Sequence, residues 1–304
     1  MIKKLFPLVC LLLAFNACTT QMQQLSQNDF VELNRNFLSD QLVEISSLNY
    51  QNGIFSGIND SGGEPIIYFF TEENPEKIYH SIHLSNASNR DWEAMTMSDS
   101  LVFVGDHGNN RGNRKDLKIY YFPKSKIDFN HPNQKVITDT ISFFYPEQQD
   151  YSKQTHQHDY DAEALVWLNN KLHLFTKEWK SNKTRHFTLD LVKGVQPAWL
   201  VESFDIGFLV TGAGLYKLDN DNTRLGLIGY TQDGEVFLQL FDFKNTDVKW
   251  LQNPKSRIFL GNSGDLGQVE GIAFKNENEI CFSAEKLKWG EKTQNQNLTC
   301  IQLK

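Results

Sequence analysis

A pair of short apolar strands ending in polar turns recurs along this chain and limits what it can fold into. Segments 42–46, 91–95, 161–165, 210–214 and 268–272 align as the first strand of the pair. Four of them carry an acid at the matched place, Glu44, Glu93, Glu163 and Glu270, where the remaining one has Gly212. Second strands follow at 54–59, 101–106, 172–177, 225–230 and 280–285, and two further strands follow in most units, such as 117–122 and 136–144. Unit starts are 49, 70, 49 and 58 residues apart, close to the length of one four-stranded propeller blade. The expected fold is therefore all-β, a β-propeller of five four-stranded antiparallel blades. Six blades is the alternative, if the polar insertion at 145–160 hides a degenerate one. A two-sheet sandwich would need five matched strand pairs to be coincidence. Small residues beside the acids, Ala94, Ala162, Ala164, Gly212 and Gly271, suit inner strands crowded around a channel. The last unit shows three strands, so a strand from the N-terminal side is expected to close the ring.

The N-terminus reads as a targeting segment. Lys3 and Lys4 precede an apolar run over 5–15, and Ala17-Cys18 fits a lipoprotein cleavage site. Residues 1–17 are then a signal peptide and Cys18 a lipidated first residue. Thr19 follows rather than Asp, which by bacterial sorting rules points to the outer membrane. Residues 18–41, rich in Gln, Asn and Ser, read as a tether with a short helix near 29–37, and 42–304 as one propeller domain. Formal net charge is −7, and −9 once Lys3 and Lys4 leave with the signal. An acidic chain repels polyphosphate, so nucleic acid is not an expected partner. The expected partners are a membrane, through the lipid, and an unidentified small-molecule or protein ligand, with the chain itself a monomer. Cys281 and Cys300 fall on strands of the last unit, in an oxidising compartment where a cross-strand disulfide or two buried thiols would both persist.

Asn59-Asp60-Ser61-Gly62, Asp91-Trp92-Glu93, Gly105-Asp106-His107-Gly108-Asn109-Asn110, Asp161-Ala162-Glu163-Ala164-Leu165 and Val269-Glu270-Gly271 together resemble a group of uncharacterised extracytoplasmic bacterial propeller lipoproteins. More distantly the chain is similar to propellers of the phytase-like esterase and gluconolactonase/regucalcin classes. The gluconolactonase likeness implies a calcium ion in the channel. The chain departs from the closer pattern at His107, where an aliphatic residue is expected.

Paired antiparallel, the first strands begin and the second strands end at one rim. That rim collects Glu44, Asp60, Asp91, Glu93, Asp106, Asp159, Asp161, Glu163, Glu178, Glu270 and Glu285, with Lys177 among them. Carboxylates so crowded repel unless cations or hydrogen bonds offset them. The simplest reading is that they cap turns and lock blades. A calcium reading takes Glu44, Asp60, Glu93, Asp106, Glu163 and Glu270 as hard oxygen ligands. A ligand site is expected around Glu93, Asp106, Asn109, Asp161, Glu163 and Lys177, where Lys177 would hold an anion and His107 would serve as a base. His156-x-His158-Asp159-x-Asp161-x-Glu163 has the donors for a transition metal, although solvated loop histidines are the plainer reading. The chain has no Gly-x-Ser-x-Gly elbow, P-loop or Cys-x-x-Cys pair. The expected function is ligand binding on an acidic rim, with calcium. The alternatives are metal-assisted hydrolysis of a small ester, lactone or phosphoester, and an envelope scaffold.

Overall fold

A computed structural model of the chain describes residues 22–304. The signal peptide expected over 1–17 and the lipidation expected at Cys18 lie outside the described residues. Five sheets stand around a central axis, with inner strands Ile45–Gln51, Trp92–Met97, Ala162–Leu168, Leu209–Lys217 and Gln268–Phe274. Neighbouring inner strands touch in that order, and Gln268–Phe274 packs back on Ile45–Gln51, which closes the ring. The fold is a five-bladed β-propeller. Insertion 145–160 forms no sixth blade; it lies over the turn at 109–112, bonded through Gln154 N to Arg111 O and Gln148 Nε2 to Gly112 O.

Alternation along each strand places apolar side chains on both faces of every blade, because each face meets a neighbouring blade. Five apolar clusters result, one between each adjacent pair. Phe103, Ile119, Leu165 and Leu174 fill the space between blades two and three. Leu48, Phe55, Cys281 and Cys300 fill that between blades five and one. Phe30–Phe37 pairs antiparallel with Asn297–Leu303 and supplies the fourth strand of the last blade.

Residues 30–37 are therefore a strand and not a helix, and the tether expected over 18–41 contributes two strands to the domain. The open edge of Asn297–Leu303 decides this, since its unpaired backbone groups need partners. Three blades also carry a fifth strand that runs parallel. Gln23–Leu25 lies on Pro254–Asn262, Asn133–Val136 on His80–Leu84, and Gly194–Pro197 on Asp139–Phe144. In the last two cases the added strand comes from the next blade's stretch of chain, so consecutive blades are strapped together.

Cys281 and Cys300 are register partners on adjacent strands and are disulfide-bonded, 19 residues apart in sequence. Both are fully buried. A loop of that size is worth about 3 kcal/mol by chain entropy. The double variant Cys281→Ala/Cys300→Ala should melt roughly 5–10 °C below the parent in differential scanning calorimetry. Coincident melting curves would show that the bond adds nothing to stability.

Candidate functional site

Each of the five inner strands is bulged near its start. The register against the second strand skips one residue at Ser46, Glu93, Glu163, Thr211 and Glu270. A bulge re-aims the extra side chain, and here Ser46, Glu93, Glu163 and Glu270 line a constriction of about 10 Å³ at the acidic end of the channel, which widens to about 740 Å³ between the far ends of the same inner strands. This register differs from the sequence alignment in two blades. Ser46, not Glu44, is the first blade's equivalent of Glu93, and Glu44 is exposed just outside the strand. Thr211, not Gly212, holds the fourth place. The two hydroxyls seal the ring, Ser46 Oγ donating to Trp92 O at 2.7 Å and Thr211 Oγ1 to Val269 O at 2.6 Å. Each bonds the residue just before the next blade's glutamate. Gly212 is required for closeness alone, as a Cβ there would sit 2.6 Å from Glu270 O.

Most acids of the mouth have a partner. Lys177 Nζ lies 2.9 Å from Glu163 Oε2, and both are buried. Burial pulls the Lys177 ammonium down, and Glu163, with Glu270 and Asp161 behind it, more than restores it, so it stays charged. Trp179 and Tyr230 cover it, their ring centres 4.9 and 5.5 Å from Nζ. Asp161 accepts from Asn109 N at 2.6 Å and from Trp179 Nε1 at 2.9 Å. Glu270 Oε1 accepts from Gln268 Nε2 at 2.8 Å.

One group is left over. Ligand oxygens of Asp60, Asp91 and Glu93 all lie within 4.8 Å of one another. Glu93 Oε1 is buried and has no hydrogen-bond partner among the described residues. The nearest compensation is Arg114 Nη1, 3.9 Å from Asp91 Oδ2, and the Ser61 N–H donated to Asp60. Burial, and then repulsion from Asp60 and Glu163, pushes the Glu93 carboxyl well above its usual range. Burial and Asp91 push Asp60 up to about 7, and burial and Asp161 push Asp91 up to about 6. Gly108 explains part of the Gly-Asp-His-Gly motif, because a Cβ at that position would fall 2.0 Å from Glu93 Oε1.

Other residues singled out in the sequence are turned to structural work. Asp106 is fully buried and its Oδ1 accepts from Arg114 Nη2 at 2.8 Å, while its Oδ2 has no partner among the described residues; it is not one of the three gathered acids. Asn109 uses both ends of its amide, donating to Tyr160 O and accepting from Arg114 N. His107 is no base at this mouth. Its Nδ1 meets Ala162 O at 2.8 Å, its Nε2 lies beneath Gly105, and burial lowers it to about 4. It links blades two and three. The histidine-rich run separates as well. His158 is buried against Gly112, Asp159 accepts from Lys180 N and Ser181 N, and His156 stacks on Trp179 at 3.9 Å. Those donors do not converge on one ion. Arg114, Trp179 and Tyr230 shape the site although nothing in the sequence singled them out, and Asp91, expected only as one acid of the rim, joins Glu93 in it. Asp91 sits two places before Glu93, which is itself the bulged residue, and their oxygens meet at one point with those of Asp60.

Neither a family model nor a curated protein matches the sequence. Among solved structures, the chain is similar to a PQQ-bound aldose sugar dehydrogenase from Streptomyces coelicolor, with 10% identity, a TM-score of 0.48, and coverage of 90% of this chain and 98% of that one. It is similar also to a protein of unknown function from Dyadobacter fermentans, with 8% identity, TM-score 0.48, and coverage of 91% and 100%. The Dos1 propeller matches at 12% identity and TM-score 0.38, over 79% of this chain and 52% of that one.

Proposed function

We propose that the protein is a lipid-tethered propeller whose acidic mouth holds a calcium ion between Asp60, Asp91 and Glu93 and uses it to bind a ligand. The convergence of those three carboxylates on an otherwise unpartnered, buried Glu93 Oε1 carries this reading. All donors are hard oxygens, with no thiolate or imidazole among them, which suits calcium better than zinc. A divalent cation would also reverse the local repulsion that now raises all three carboxyls. Glu163 and Glu270 line the channel beside the ion; Glu44 and Asp106 are not ligands in this proposal. The tether is lipid on Cys18 at the outer membrane. Metabolic labelling with a fatty-acid probe should mark the protein and fail to mark Cys18→Ala, and label retained in that variant would overturn the anchor.

Thermal melts in calcium and in chelator test the ion. At a hundred times Kd, calcium adds about 2.7 kcal/mol, or roughly 5–10 °C in Tm. Glu93→Gln should lose that response and, in chelator, melt higher than the parent, because an uncompensated buried acid has been neutralised. Asp106→Asn should melt lower in both conditions, since it weakens the Arg114 pair, yet keep the calcium increment. A parent with no increment, or a full increment in Glu93→Gln, would sink the site.

A further inference from the structure

Beside the acidic mouth, on the side of blades three to five, lies a second cavity of about 470 Å³, within the size range of small-molecule sites. Trp179, His156 and Tyr230 form its aromatic side. Gln232 and Gln268 line it too, each with its amide nitrogen already committed, to Trp179 O at 3.2 Å and to Glu270 Oε1 at 2.8 Å, which leaves their carbonyl oxygens as acceptors. Ser263 also lines it; it is 5% exposed, and its hydroxyl has no partner among the described residues. A buried hydroxyl without a partner is costly unless a ligand or water completes it.

Lys180, an exposed residue, is the one formally charged side chain of the lining, and the groups around the rest of the cavity favour neither sign. A cation would meet Lys177, whose Nζ already sits 4.9 Å from the Trp179 ring and 5.5 Å from that of Tyr230. An anion would face two amide oxygens and Glu270. His156 adds no charge near neutral pH, because burial and Lys177 lower it. Free acceptors, a free donor and an aromatic plate, with the exposed Lys180 the lining's single formal charge, suit a molecule whose groups both donate and accept while its C–H faces are apolar. We propose that this cavity binds a neutral sugar, with Ser263, Gln232 and Gln268 on its hydroxyls and the His156–Trp179 stack against its ring.

His156 is part of the device. It holds φ at +56°, a conformation that non-glycine residues adopt at a cost and that tends to persist where function needs it. Its N–H donates to Asn110 O at 3.1 Å, which fixes the imidazole over the indole.

Isothermal titration of the full protein tests this, with glucose, galactose, mannose and N-acetylglucosamine as probes and glucuronate and glucosamine as charged comparators. At least one neutral sugar should bind saturably, in chelator as well as in calcium, and neither charged comparator should bind as tightly. Ser263→Ala removes the hydroxyl, and His156→Gly removes the imidazole at a backbone angle glycine accepts freely, so neither should impair folding. Each should weaken binding roughly five- to tenfold, the value of one good contact. The proposal fails if no neutral sugar binds at tens of millimolar, if both folded variants bind like the parent, or if a charged comparator binds best. Binding abolished by chelator would place the sugar on the ion instead and overturn this cavity as its site, while leaving the calcium reading intact.

Discussion

Lys177→Met should cost about 3–5 kcal/mol at pH 8, the usual penalty for stripping the partner from a buried charge, and lower Tm by roughly 10 °C. The ammonium is the only cation inside the channel mouth among the described residues; Arg114 lies behind Asp91 and Asp106. Without it, Glu163 would be a buried carboxylate beside Asp161 and Glu270 with no counter-charge. Methionine fills the space of the lysine stem under Trp179 and Tyr230, so the loss is electrostatic and not a cavity effect. Two controls separate the explanations. At pH 5 Glu163 can take up a proton, and the penalty should shrink. The double variant Lys177→Met/Glu163→Gln removes both charges and should recover most of the stability. An equal loss at both pH values, with no recovery in the double variant, would show that the ion pair is not what matters at this position.

In chelator, stability should fall steadily from pH 6.5 to pH 9, and calcium should flatten that slope. Burial first, and then mutual repulsion, raises carboxyls of the mouth, among them Asp91 to about 6, Asp60 and Glu270 to about 7, Glu285 to about 9, and Glu93 and Glu163 well above the usual range. An acid raised in the folded state binds more protons folded than unfolded. Its stabilising contribution is complete below its unfolded value and disappears as pH rises through the folded one. Asp60, Glu270 and Glu285 still titrate in this window, and each carboxyl forced to ionise costs about 1.4 kcal/mol per pH unit. Screening and coupling reduce the sum, so a fall of roughly 5–10 °C in Tm is expected. Below pH 6.5 the buried histidines act the other way. Burial lowers His107 to about 4 and His173 to about 3, so their contribution is lost as pH falls, which offsets part of the acids' slope in that range. Calcium binds the ionised carboxylates and so stabilises the high-pH form. A flat profile in chelator, or the same slope with and without calcium, would contradict the coupling of these acids.

Much of the architecture was legible along the chain. Strand pairs at 54–59 and 101–106 coincide with Ile54–Asn59 and Leu101–Asp106, and five units became five blades. Local pattern sufficed because each blade is built from consecutive antiparallel strands, so hydrophobic alternation and turn residues report directly on pairing. The strand Phe30–Phe37 was misread as tether and helix because its partner, Asn297–Leu303, lies at the other end of the sequence. Its residues have little alternation of their own. The parallel fifth strands were hidden for the same reason; nothing in Gly194–Pro197 announces that it will lie on the preceding blade.

The acidic mouth divides along similar lines. That Glu93, Glu163 and Glu270 share one rim followed from sequence spacing alone, since a repeat imposes a common register on equivalent residues. Which acids are compensated did not follow. Bulges shift side chains by one place, and that shift put Ser46 rather than Glu44 in the ring. Arg114 claimed Asp106, and Lys177 claimed Glu163. Tertiary packing alone decided these pairings, because charge interactions depend on distances and burial of about an ångström and a few water molecules. The sequence determined the ring and the sign of its charge; only the folded chain decided that Glu93 Oε1 would be left without a partner beside Asp60 and Asp91.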